Sequence, residues 1–152
     1  MNVMPLELEQ KTINTIKLLS YGGLIPFIAT LSGLFLFEDT LRELCLNGYI
    51  AYAAVILSFV GAVHWGFILR AKPDNAILLL SLSVLPNLTA WISLLLTQSL
   101  SLLVLSLAFP LLFFYEKVTV LNSLLPDWYM QMRLRLTIIV TLTVFITFIT
   151  TH

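Results

Sequence analysis

The feature that most constrains this chain is a series of five long apolar runs, at residues 18–37, 49–69, 76–96, 100–115 and 134–150. A helix that crosses a bilayer needs about 17–25 predominantly apolar residues. The first four runs contain no Asp, Glu, Lys or Arg, and the fifth holds only Arg135, next to its start. A core helix of a soluble protein would show a charged face. These runs are apolar all round, so lipid is their solvent. The fourth run is the shortest and is interrupted by Pro110. The pattern predicts an all-α membrane protein: an N-terminal tail over 1–17, then one five-helix transmembrane bundle over 18–152. Composition agrees. Hydrophobic residues make up 59% and charged residues 11%, against roughly 45–50% and 25% in soluble domains. This excludes a disordered chain and an ordinary soluble enzyme. The 8 Lys+Arg are balanced by 8 Asp+Glu, which leaves no basic field for nucleic acid. One cysteine, Cys45, excludes an internal disulfide and a thiolate-only metal cage. A polar stretch precedes the first run and no small-residue cleavage site follows a short apolar core, so no cleavable leader is expected.

Loop charges predict the orientation. With five spans, Lys11, Lys17, Arg70, Lys72, Lys117, Arg133 and Arg135 fall on the side of the N-terminus, and only Arg42 on the other. The positive-inside rule then puts the N-terminus in the cytoplasm and the C-terminus outside, in a cytoplasmic (inner) membrane. Omitting the fourth span would put Arg133 and Arg135 on the wrong side. The links 70–75 and 97–99 are short, which makes the spans they join antiparallel neighbours. Residues 38–48 are expected outside, with at most a short surface helix. Residues 116–133 mix charges with Leu124, Leu125, Trp128, Tyr129 and Met130, as in a segment lying at the interface.

Ala54, Ser58, Ala62 and Gly66 recur every four residues in the second run, a spacing that lets helices approach closely in lipid. His64 sits about 200° around the helix from Ala62, on a face shared with Leu57, Val60, Gly61 and Ile68. An intramembrane ionisable residue points to a buried polar or proton-accepting site. The simpler reading is a neutral histidine satisfied by one hydroxyl or carbonyl. At its depth the other spans offer Tyr21, Ser81 and Thr137, and Glu116 ends the fourth span at the same membrane face. The only other histidine, His152, is at the far end, so no metal, haem or other cofactor is expected.

Pro86 in the third run lacks an N–H and should kink the helix, leaving Asn87 to bond freed backbone or a neighbouring span. Ser83, Asn87 and Ala90 share a small polar face, which reads as interhelical glue before it reads as a cavity lining. Trp65, Trp91, Trp128, Tyr115 and Tyr129 fit aromatic belts. Arg133 and Arg135 at the start of the fifth run, with Trp128 and Tyr129, are expected to anchor the chain at lipid headgroups. No Gly-x-Ser-x-Gly, paired intramembrane aspartates, His-Glu-x-x-His or phosphate loop is present, so no enzymatic activity is expected.

Three stretches together resemble a known family: 52–66 (YAAVILSFVGAVHWG), 85–91 (LPNLTAW) and 125–137 (LPDWYMQMRLRLT). The His64-Trp65-Gly66 triplet is the most distinctive, with Pro-x-x-x-Ala-Trp and the segment from Trp128-Tyr129 to Arg133 beside it. The chain resembles the family of domain of unknown function 3429, which includes bacterial inner-membrane proteins, over about residues 21–144. The resemblance implies about five spans and supplies no activity. The packing stripe, the kinked helices and the lack of catalytic groups instead point to a non-enzymatic accessory or scaffold protein, whose expected partners are the bilayer and a larger membrane protein or a second copy of itself. The alternative is a protein that handles a small molecule, a lipid or quinone, or a proton, with His64 as working group and Trp65, Ser81, Asn87 and Glu116 beside it.

Overall fold

The computed structural model describes residues 6–119 and 121–151. Their regular elements are helices: α1 Leu6–Gly22, α2 Ile25–Leu36, α3 Asp39–Ala71, α4 Ala76–Leu82, α5 Leu85–Ser93, α6 Gln98–Val118, α7 Leu121–Leu124 and α8 Asp127–Thr150. Read across short breaks, five stretches are long and apolar enough to cross a membrane: Glu9–Leu36, Asp39–Ala71, Ala76–Ser93, Gln98–Val118 and Asp127–Thr150. Of the expected tail, residues 1–5 lie outside the described residues, as does His152; the remainder is helical from Leu6.

Two spans are broken, each beside a proline. Pro26 in the first turn of α2 cannot donate to the carbonyl one turn back. The α1–α2 break is closed by the Gly23 N–H on Leu19 O (3.0 Å) and by the Tyr52 hydroxyl of α3, which donates to Gly23 O at 2.9 Å. The bend expected at Pro86 is a full interruption between Leu82 and Leu85. There the Ser83 N–H reaches Leu79 O (3.0 Å) and its hydroxyl reaches Leu80 O (2.7 Å). Pro110, by contrast, leaves α6 unbroken over 21 residues.

The external link expected over 38–48 is instead the beginning of α3, which runs 33 residues without interruption. Gly48 is the only helix breaker in that stretch, and an interior glycine costs only about 1 kcal/mol. Burial of Leu46, Tyr49 and Ile50 outweighs that. At 1.5 Å per residue α3 is about 50 Å long, beyond the roughly 30 Å of hydrocarbon. It stops at Lys72, whose left-handed backbone (φ 47°) turns its N–H onto Ile68 O at 2.8 Å, just before Pro73.

α3 is the central helix. It packs on α2, α5 and α6, and α6 packs on α8. Phe27 of α2 sits edge-on to Tyr49 and Tyr52, with centroids 5.4 and 5.0 Å away. Segment 116–133 does not simply lie along the interface. Leu121, Leu125 and Met130 are buried with Ile68 and Leu79 in a second apolar cluster. The small-residue stripe of α3 needs a correction. Ala54 is buried, but Ala62 and Gly66 are exposed, and nothing lies within 4 Å of where a Gly66 Cβ would be. Residues four apart drift about 40° per step at 3.6 residues per turn, so the stripe spirals off the contact. Gly61 is the residue that admits α5: a Cβ there would lie 2.9 Å from Pro86 Cβ and 3.1 Å from Ser83 O.

Candidate functional site

The chain reverses through α7 and Pro126, which returns α8 beside α6 and brings Arg133 back to Glu116. α3 supplies His64 from the other side. The Nε2 of His64 lies 2.9 Å from Glu116 Oε1, and Arg133 Nη2 donates to the same oxygen at 3.1 Å. Relative exposures are 1% for His64, 0% for Glu116 and 5% for Arg133. Three spans therefore deliver three ionisable side chains to one buried point.

The cluster is incompletely satisfied. Among the described residues, His64 Nδ1, Glu116 Oε2 and Arg133 Nε have no hydrogen-bond partner, nor do the buried Tyr115 hydroxyl and Thr137 Oγ1. The Tyr115 ring centroid is 6.4 Å from that of His64. Because Nε2 faces a carboxylate, it carries the proton, and in the neutral ring Nδ1 is then a bare acceptor. The site thus offers an acceptor on the imidazole, another on the carboxylate and a donor on the guanidinium. The charges of Glu116 and Arg133 offset each other, so the cluster can bind a polar group through these unpartnered atoms. Burying each ion costs several kcal/mol. No group of three His, Cys, Asp or Glu side chains able to hold a metal occurs among the described residues.

Beside the cluster lies a cavity of about 610 Å³ between α1, α3 and α8. Arg133 is in its wall, with Trp128, Tyr129, Arg70 and Glu9 near one end and Phe27 and Val140 towards the other.

The other residues singled out from the sequence are distributed around the bundle. Trp65 is 46% exposed. Ser81 is exposed and donates to Ile77 O of its own helix at 2.9 Å. Asn87 is exposed and accepts a 2.6 Å bond from Ser58, a direct α3–α5 link. None of the three joins His64. Arg133, expected to anchor at headgroups, instead turns inward to the buried carboxylate, whose charge would otherwise stand uncompensated. Arg135 is exposed, and Trp128 and Tyr129 are half-buried. The Arg133–Glu116 pairing is the part that sequence reasoning missed. Its signal was available: Arg133 lies one helical turn before Thr137, at the depth assigned to His64.

Fold and site define a small five-span helical membrane protein with a buried His–Glu–Arg cluster at one end of the bundle. The chain belongs to the family described as "Protein of unknown function (DUF3429)", which matches residues 12–149. It is similar to "Transmembrane protein 69" of Mus musculus, at 31% identity over 137 residues covering 88% of this chain and 53% of the relative. It is also similar to "Transmembrane protein 69" of Xenopus tropicalis, at 31% identity over 134 residues covering 80% and 48%. The chain spans about half the length of these curated relatives. No solved structure matches it.

Proposed function

We propose that this protein binds a small membrane-borne molecule, without turning it over, at the His64–Glu116–Arg133 cluster. The observation that carries this is the incomplete satisfaction of three buried ionisable groups beside a cavity that one of them lines. A buried ion pair adds little stability, and apolar residues of similar volume often serve a fold as well or better. Ionisable groups within a membrane bundle mark ligand or proton sites by default. The reading keeps the N-terminus and the cluster on the cytoplasmic side of a cytoplasmic membrane, supported by the seven-to-one distribution of basic residues.

The test is extraction of the full chain in mild detergent, followed by mass spectrometry of its co-purifying small molecules, for the unmodified protein, His64→Ala and Glu116→Gln. A molecule retained in stoichiometric amount and lost in both variants, with folded protein recovered, supports the reading. Equal retention in all three would sink it.

A second reading, an accessory or scaffold protein, is favoured by one observation: Ala62 and Gly66 form an unfilled small-residue patch on the lipid-facing side of α3, as helix pairs in lipid use. Native mass spectrometry of the same extract tests it. A discrete extra protein mass, or a dimer abolished by Gly66→Leu, supports it; a lone protomer carrying a small molecule favours the first reading.

A further inference from the structure

The cavity beside the cluster has a direction. Arg70, Arg133, Trp128 and Tyr129 line it at the basic end of the bundle, while Leu24, Phe27 and Val140 line it deeper in. Its wall along α8 runs from Trp128 to Val140, thirteen residues, or about 18 Å from first to last at 1.5 Å per residue. One leaflet of hydrocarbon is about 15 Å, half of the roughly 30 Å core. The cavity thus has the length of one leaflet and a polar end where that leaflet's headgroups lie. Its volume, about 610 Å³, falls within the roughly 300–1,000 Å³ of small-molecule sites.

The polar end is biased towards anions. Arg133 is 5% exposed and its Nε has no partner. Its charge is answered by Glu116, but Arg70 makes no ion pair among the described residues. Lys17 of α1 stands 5.8 Å over the Trp128 ring at the same end. Glu9 is the one acid in the cavity wall, set against Arg70 and Lys17. A guanidinium presents a planar fork of donors that matches phosphate oxygens.

We propose that this cavity holds the acyl chain of an acidic-headgroup membrane lipid, with the lipid phosphate between Arg70 and Arg133. The proposal rests on the binding reading above and names its ligand class. Arg70 supplies the long-range attraction, the guanidinium of Arg133 in the cavity wall the second positive group, and the apolar wall the affinity. Trp128 and Tyr129 stand where amphipathic rings meet headgroups.

The experiment reconstitutes the full chain in nanodiscs of phosphatidylcholine containing a minor fraction of phosphatidylglycerol, releases it gently, and counts retained lipids by native mass spectrometry. Arg70→Gln removes the rim charge without touching the His64–Glu116–Arg133 cluster, Arg70→Lys restores it, and Val63→Trp fills the cavity. Phosphatidylglycerol should be enriched over phosphatidylcholine on the unmodified protein. Its retention should fall about fivefold in Arg70→Gln, recover in Arg70→Lys and vanish in Val63→Trp. Equal retention of the two lipids, or retention indifferent to Val63→Trp, overturns the proposal, because both describe lipid held on the outer surface. If Val63→Trp does not fold, phosphatidylglycerol with brominated acyl chains serves on the unmodified protein: tryptophan quenching beyond that by brominated phosphatidylcholine supports the proposal, and equal quenching overturns it. Retention of a neutral molecule that Glu116→Gln abolishes would overturn this inference and leave the binding reading standing. Loss of all selective retention would remove both.

Discussion

Glu116 of α6 and His64 of α3 meet at 2.9 Å with both side chains sealed from solvent, and Arg133 of α8 shares the same carboxylate oxygen. Glu116 is therefore the hub of the bundle's buried charge. Removing it strands the guanidinium. Glu116→Ala should lower the unfolding free energy by about 3–5 kcal/mol, measured as reversible unfolding of the full chain in mixed micelles. Glu116→Leu combined with Arg133→Met should recover most of that loss, since an apolar pair carries no desolvation penalty. A loss below about 1 kcal/mol in the single variant, the size of an exposed ion pair, would mean that the pair is not buried in the membrane.

Gly61 and Gly66 make a matched test of where α3 is contacted. A Cβ at Gly61 meets Pro86 Cβ at 2.9 Å, a rigid ring atom that cannot swing aside, whereas Gly66 has open space. Gly61→Ala should destabilise by about 1–3 kcal/mol, as overpacking does. Gly66→Ala should be neutral, or stabilising by up to about 1 kcal/mol through helix propensity. Thermal unfolding of the two variants side by side checks this, and equal effects would contradict the α3–α5 contact.

That pair also shows what the sequence could convey. The five spans were legible because lipid imposes a length and a composition on each of them, whatever its neighbours. The break at Pro86 was legible from its missing donor; the one near Pro26 has the same cause but was not read from the sequence. Which small residue meets a neighbour was not legible, because it depends on where a second helix crosses. The four-residue stripe favoured Gly66, and the crossing of α5 selects Gly61. The candidate site divides in the same way. His64 stands out as an ionisable group inside an apolar run, and Glu116 as an acid at the same membrane face. Arg133 also has an ordinary role as a headgroup anchor, and only the return of α8 alongside α6 turns it inward.

Ser58 and Asn87 are joined by a 2.6 Å hydrogen bond on the outer side of the bundle. In lipid neither group can turn to water instead. A double-mutant cycle with Ser58→Ala and Asn87→Ala should give a coupling of about 0.6 kcal/mol and no more than about 1.7, the range for interhelical hydrogen bonds in membranes. Ligand retention should not change, because Asn87 stands apart from the cluster. Zero coupling would leave Asn87 without its linking role.

Arg42 is the one basic residue at the opposite end of the bundle, and it is tied to the ends of two spans. Its Nε donates to Leu34 O of α2 at 3.3 Å and its Nη2 to Thr150 O of α8 at 3.1 Å. Both carbonyls sit in final helical turns, where acceptors lack intrahelical partners and the helix dipole favours a cation. The forked guanidinium can serve both at once, whereas an ammonium on a flexible stem is a single point charge. Arg42→Ala should therefore cost about 1 kcal/mol, below the roughly 1.5–3 kcal/mol of a buried charged hydrogen bond because the site is exposed. Arg42→Lys should restore less than half of it. Unfolding of the full chain in micelles, with proteolysis of the C-terminal turn of α8 as a local readout, distinguishes this tie from a topology signal. If Arg42 served only as a charge outside the membrane, lysine would replace it fully and the end of α8 would stay protected.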